Sequence, residues 1–271
     1  MRARKRWTVT ERRISLPPMT PEFGQPRTAI VTGGARRIGA ALTRALAEDG
    51  WTLLIHCHDS EGEAQAMAGS LGGRCVAADL GDADAAERIM AALDGLPPPA
   101  LLVNNASRFT LDQFDDFDAA GFSSHMDVNL RAPALLTQAF ARAVPEGAGG
   151  LVVNLLDAKL AQPNPDFFTY TLSKMGLAGL TELSARVLAG RGIRVCGIAP
   201  SITLVSGPQT RDNFDRVHRM NALARGVEVD QIVAALRFLI ASPTMTGQTI
   251  TLDAGQRFLS LPRDVQFMGE E

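Results

Sequence analysis

The chain is short of several things, and each shortage excludes something. No apolar run approaches the roughly 20 residues that a membrane-spanning helix requires, so no membrane partner is expected. There are three cysteines in 271 residues, Cys57, Cys75 and Cys196. They are too few and too scattered for a disulfide framework or a metal cluster and read as reduced thiols of a cytoplasmic protein. Neither sign of charge dominates: 27 Lys and Arg against 29 Asp and Glu leave a net charge of −2. That balance gives no general attraction to nucleic acid. Aromatic residues make up 6% of the chain and there is a single tyrosine, Tyr170, so anything a phenol does is done at one position.

What is abundant is aliphatic. With 46% hydrophobic residues the chain can build one sizeable core. Residues 1–25 stand apart: Arg2, Arg4, Lys5, Arg6, Arg12 and Arg13 precede Pro17 and Pro18. The continuous apolar segment of a secretory signal is missing. This stretch reads as a basic, disordered extension, or as sequence upstream of a true start at Met19. Beyond it, short apolar runs at 28–31, 51–55, 74–78, 100–103, 151–155, 193–198 and 249–252 alternate with helical patterns at 40–48, 60–71, 83–93, 122–144, 168–189 and 229–240. The runs are continuous rather than alternating, which marks strands covered on both faces. The expectation is one α/β domain over 26–271: a doubly wound Rossmann arrangement with a seven-stranded parallel sheet and helices on both faces. Residues 201–226 break the rhythm after a strand's carboxyl end, where ligands bind in such sheets, and read as a substrate lid.

Two motifs carry chemistry. Thr32-Gly33-Gly34-Ala35-Arg36-Arg37-Ile38-Gly39 joins the first strand to the first helix. Glycines allow a tight turn and close backbone approach, and a helix N-terminus favours a pyrophosphate. The second motif is Tyr170-Thr171-Leu172-Ser173-Lys174. A spacing of four puts the phenol and the ammonium on one helix face, where the cation is expected to lower the phenol's pKa. His56 and His58 flank Cys57 with no further ligands nearby, so they read as cofactor-pocket or surface histidines and no metal is expected.

With these motifs, Asn104-Asn105-Ala106-Ser107 and Asn129, the chain from about Thr28 to Phe258 resembles the classical short-chain dehydrogenase/reductase family. Within that family it is most similar to pteridine reductases and bacterial dihydromonapterin (dihydrofolate) reductases. Four features carry the narrower match: Arg37 in place of the middle glycine, Asn105-Ala106-Ser107-Arg108-Phe109, Asp157 thirteen residues before Tyr170, and Ile198-Ala199-Pro200-Ser201. The resemblance implies a homotetrameric, cytoplasmic NADPH-dependent oxidoreductase that reduces a dihydropterin-type C=N bond. The catalytic group would be Asp157, Tyr170, Lys174 and Asn129, with Asn129 supporting the lysine and a water. Cofactor contacts would come from Gly33, Arg37, Ile38, Gly39, His56, Ser60, Asp79, Leu80, Asn105, Ala106, Ser107, Tyr170, Lys174, Pro200 and Ser201. Substrate contacts would come from Arg37, Ser107, Phe109, Asp157 and Tyr170, with Phe109 stacked on the pterin. Cys57 stands where NAD-dependent relatives carry an acid, which favours NADPH, while Asp59 two residues later would repel a 2′-phosphate if it turned inward. Two rival readings remain: a carbonyl reductase or alcohol dehydrogenase of the same family, and a non-catalytic NADP(H)-binding regulator.

Overall fold

The computed structural model describes residues 23–206 and 209–268. Its order is β1 (Thr28–Val31), α1 (Arg37–Glu48), β2 (Thr52–Cys57), α2 (Glu61–Leu71), β3 (Arg74–Ala77), α3 (Ala85–Ala91), β4 (Pro99–Asn104), α4 (Ala119–Met126), α5 (Ala132–Ala143), β5 (Gly150–Leu155), α6 (Phe168–Leu188), β6 (Ile193–Pro200), α7 (Arg211–Val217), α8 (Val229–Ile240) and β7 (Thr249–Leu252). All seven strands pair in parallel, in the order β3-β2-β1-β4-β5-β6-β7. The expected seven-stranded, doubly wound α/β fold is therefore the observed one.

The continuous apolar strands explain the layering. Side chains alternate in direction along a strand, so each strand feeds two cores. Ala29, Val31, Leu53, Ile55, Leu101 and Val103 pack under α1, α2 and α8 with Leu42, Leu46, Met67, Leu236 and Leu239. Ile30, Leu54, Leu102 and Val152 point the other way, onto Ile89, Leu136, Phe140 and Ala185 of α3, α5 and α6.

Several boundaries differ from expectation. Phe23, 2% exposed against Trp51, already belongs to the domain, and residues 1–22 of the expected extension lie outside the described residues. The single helix expected over 122–144 is split into α4 and α5 by a π-turn at Asp127–Arg131. Pro133 in the first turn of α5 has no N–H for the carbonyl four residues back, so an α ladder cannot run through unbroken. The segment 201–226 contains a short helix, α7, capped by Thr210, whose hydroxyl accepts from the Asn213 N–H at 3.2 Å. No helix among the described residues is long and apolar enough to cross a membrane.

Candidate active site

The strand order reverses between β1 and β4, and loops at the carboxyl ends of strands on either side part there. A cavity of about 730 Å³ opens at this place. Of the expected site residues, Gly33, Arg37, Ile38, Gly39, Asn105, Ala106, Ser107, Phe109, Asp157, Tyr170, Lys174, Pro200 and Ser201 line it.

At one end lies the glycine loop. A Cβ on Gly39 would stand 2.0 Å from the Gly33 carbonyl oxygen and 2.6 Å from Asn105 Nδ2, so no larger residue fits. The Asn105 amide donates to the Thr32 and Gly33 carbonyls at 2.8 and 3.1 Å, tying the loop to β4. Gly33 and Arg37 both have left-handed backbone, at φ 60° and 53°. Arg37 thus adopts a backbone that favours glycine, at a cost of about 1–2 kcal/mol.

His56 does not reach the cavity. Its ring is 1% exposed behind the loop. Nδ1 accepts from the Gly33 N–H at 3.2 Å and Nε2 lies 3.0 Å from the Ala78 carbonyl, to which it donates. Burial, which outweighs the Ala78 bond, lowers its pKa to about 4. Ser60, at the start of α2, and Asp79-Leu80, after β3, are likewise off the cavity wall. His56 and Leu80 are buried at this end, whereas Asp79 is exposed and Ser60 half-buried. Asp59 turns outward, 83% exposed in its side chain and 3.0 Å from His58.

At the other end, Tyr170 Oη donates to Asp157 Oδ2 at 2.8 Å, while the Lys159 backbone N–H donates to Oδ1 at the same distance. Lys174 Nζ donates to the Leu155 carbonyl at 2.7 Å and stands 5.7 Å from the Tyr170 ring centroid. The expected acidification of the phenol is corrected here. Burial first, and the Asp157 charge second, push Tyr170 well above the ordinary phenol value. Burial lowers Lys174 itself, to about 8. The phenol is therefore held as a proton donor.

Asn129 sits between the Ser107 loop and α6. Buried in the π-turn, its Oδ1 accepts from the Arg108 N–H at 2.8 Å and from Ser107 Oγ at 3.2 Å. Its Nδ2 donates to the Arg108 carbonyl and to Ser173 Oγ, both at 2.9 Å. It clamps the Ser107 loop to Ser173, the residue before Lys174. Phe109 stacks on Phe167 with centroids 4.2 Å apart and meets Tyr170 edge-on at 4.7 Å.

Sequence reading gave no sign of the C-terminal wall. Asp166, 2% exposed, receives Arg263 Nε at 2.9 and 3.0 Å and the Asp264 N–H at 2.7 Å. Burial opposes ionisation, but these donors hold its carboxyl below the usual range. The latch brings Asp264 and Gln266 to the cavity. Asp264 Oδ2 is 3.5 Å from Lys159 Nζ, which also bonds the Asp166 carbonyl. Burial outweighs the pairing, raising Asp264 and lowering Lys159. No motif spacing links residues 159 and 264. Residues 202–206 and Gln209 of the expected lid also line the cavity.

Comparison with known proteins gives concordant results. The short chain dehydrogenase family model matches residues 27–215. Pteridine reductase 1 of Leishmania tarentolae is 28% identical over 276 residues, covering 84% of this chain and 95% of that protein. L-xylulose reductase of Bos taurus is 31% identical over 245 residues, covering 84% and 96%. Among solved structures, FolM Alternative dihydrofolate reductase 1 from Brucella canis, complexed with NADP, superposes with a TM-score of 0.83 at 39% identity, covering 88% of this chain and 96% of that one.

Proposed function

The chain belongs to the short-chain dehydrogenase family, and from that premise we propose that it is an NADPH-dependent reductase of a dihydropterin-type C=N bond. The observation that carries this reading is the 2.8 Å bond from the Tyr170 phenol to Asp157. Reducing a ketone calls for a hydroxyl donor at the oxygen. Reducing C=N calls for a proton on nitrogen as hydride reaches the neighbouring carbon, and a carboxylate hydrogen-bonded to a phenol can relay one.

The glycine loop at the head of α1, closed by Gly39 against Gly33, suits a dinucleotide's pyrophosphate. Bound there, NADPH supplies the hydride. Gly33, Arg37, Ile38 and Gly39 would hold its phosphates, with Asn105, Ala106, Ser107, Pro200 and Ser201 along the rest. Cys57, buried at the end of β2, offers no carboxylate to ribose hydroxyls, and the outward turn of Asp59 removes the objection to a 2′-phosphate. Phe109, beside Tyr170, would cover a flat heterocycle. Asp157 would relay the Tyr170 proton to the substrate nitrogen in one concerted movement as hydride arrives, and solvent would return a proton to the phenolate. Lys174 would hold the ribose, and Asn129 would fix the Ser107 loop. Ser107 and Arg37 would touch both ligands. Residues 201–226 would close over the substrate. Leu183 and Val187, exposed on α6, suit the homotetramer that the family resemblance implies.

The test is NADPH oxidation with dihydrobiopterin, dihydromonapterin and dihydrofolate, repeated with NADH and with Asp157→Ser. Turnover of a dihydropterin that Asp157→Ser abolishes supports the reading. Retained or improved activity on ketones in that variant would favour a carbonyl reductase, the activity of the xylulose reductase relative. No NADPH oxidation with any substrate would leave a cofactor-binding regulator.

A further inference from the structure

We propose that His125 is a positioning residue of the active site: through an unprotonated Nε2 it holds the loop carrying Phe109 against the start of the helix carrying Tyr170. This rests on Phe109 and Tyr170 being active-site groups, and not on which C=N or C=O substrate they serve.

The geometry fixes the ring's proton. His125, on α4, is 1% exposed. Its Nε2 lies 3.3 Å from the Thr110 backbone nitrogen and 3.1 Å from Thr110 Oγ1. A backbone N–H can only donate, so Nε2 accepts and carries no proton. The neutral ring's one proton is then on Nδ1, which lies 2.7 Å from Thr169 Oγ1 and donates to it. Thr169 Oγ1 in turn donates to Asp112, whose Oδ1 accepts the Thr169 N–H at 3.1 Å and whose carbonyl accepts the Phe168 N–H at 3.3 Å.

That chain of bonds solves a local problem. Phe167, just before α6, has φ 52° and gives the helix no side-chain cap. The helix's first amides need acceptors, and Asp112 brings them from the loop after β4. His125 closes the circuit by joining Thr169 of α6 to Thr110 of that loop. Phe109, next to Thr110, lies against Phe167 and Tyr170, next to Phe168 and Thr169. Alongside Asp112, the imidazole thus fixes the placement of the aromatic ring relative to the phenol.

The charged and titratable groups facing this ring are few. Asp112 is 3.9 Å from Nδ1, Arg108 comes from the same loop, and the Tyr170 ring is 6.3 Å away on α6. On α4 itself the Gly121 carbonyl is the partner. Burial lowers the His125 pKa, Asp112 opposes this and Arg108 adds to it. A proton reaching Nε2 would set donor against donor at Thr110 and release Phe109. Substrate affinity should therefore fall on the acid side, while the glycine-loop end keeps its cofactor.

Two measurements test this on the full chain. Long-range proton–nitrogen NMR of the four histidine rings, assigned with His→Gln variants, should show His125 as the Nδ1–H tautomer and protonating below the ordinary histidine range. An Nε2–H tautomer, or ordinary titration, overturns the proposal whatever the substrate proves to be. The second is steady-state kinetics between pH 5 and 8, on whichever dihydropterin or ketone the wild type reduces fastest. His125→Gln should raise KM about tenfold at neutral pH with kcat nearly unchanged. It should also lose the acid rise in KM and leave NADPH affinity intact. Thr110→Val, at an exposed residue, should move KM in the same direction by about two- to threefold. Unchanged KM in both variants, or NADPH affinity falling in parallel with KM, overturns the proposal. Absence of dihydropterin turnover in the wild type would count against the proposed substrate and leave the NMR result standing.

Discussion

At the glycine-loop end of the cavity almost every contact ends on backbone, whereas at the Asp157 end side chains also pair with side chains. Gly33 gives its N–H to His56, and Asn105 donates to the carbonyls of Thr32 and Gly33. Tyr170 instead bonds Asp157, and Arg263 bonds Asp166, each through side chains alone. Backbone presents the same groups whatever the residue, so the first end depends on the few positions where a side chain must be absent or small. The second end depends on residue identity throughout and can be retuned to another substrate without touching the first.

Separate construction implies separable defects. Tyr170→Phe should lower turnover by about 10²- to 10⁴-fold, by removing the donor to Asp157, with NADPH affinity nearly unchanged in fluorescence titration. A parallel loss of NADPH affinity would mean that the two ends are one unit. Next in size is the acid response of the strut behind the loop. His56 is neutral in the fold and its pKa drops from 6.5 to about 4, so its contribution is complete above pH 6.5 and is lost as pH falls through that window. The loss should reach about 3 kcal/mol in urea unfolding near pH 4, and His56→Gln should flatten the profile. Gly39→Ala should follow, weakening NADPH binding by about ten- to a hundredfold through a clash with the Gly33 carbonyl. Any substrate turned over at saturating NADPH should keep its KM. Smallest is Arg37→Gly. Relief of the left-handed backbone should raise stability by about 1 kcal/mol in thermal or urea unfolding. At the same time it removes the cation proposed to touch both ligands, so KM for substrate should rise while the fold gains.

The contrast between the ends also explains what could be read early. Thr28–Val31 and Gly150–Leu155 announce themselves as buried strands because a strand covered on both faces needs an unbroken apolar run. The glycine loop is legible because its constraints are local: one turn, one helix start, no Cβ at Gly39. Tyr170 and Lys174 are legible because one helical turn separates them. The split of α4 from α5 had a sign in Pro133, yet the position of the π-turn follows from packing. The cap of α6 by Asp112, the His125 bridge and the Arg263 latch on Asp166 left no periodic signature. These pairs are 57, 44 and 97 residues apart, and no local pattern constrains them.

The direction of the Tyr170 shift belongs to the same class. A spacing of four puts an ammonium and a phenol on one face, but it does not say whether the nitrogen meets the oxygen or the ring. Nor does it say how much water remains around either.

By itself the sequence determined the parallel sheet, the phosphate-type loop and the candidate pair Tyr170 and Lys174, because each follows from hydrogen bonding and side-chain direction over a few consecutive residues. Only the tertiary structure decided which distant side chains meet Asp157 and Tyr170, and how burial sets their charge. Those depend on where whole elements pack and how completely they exclude water, which no short stretch of chain encodes.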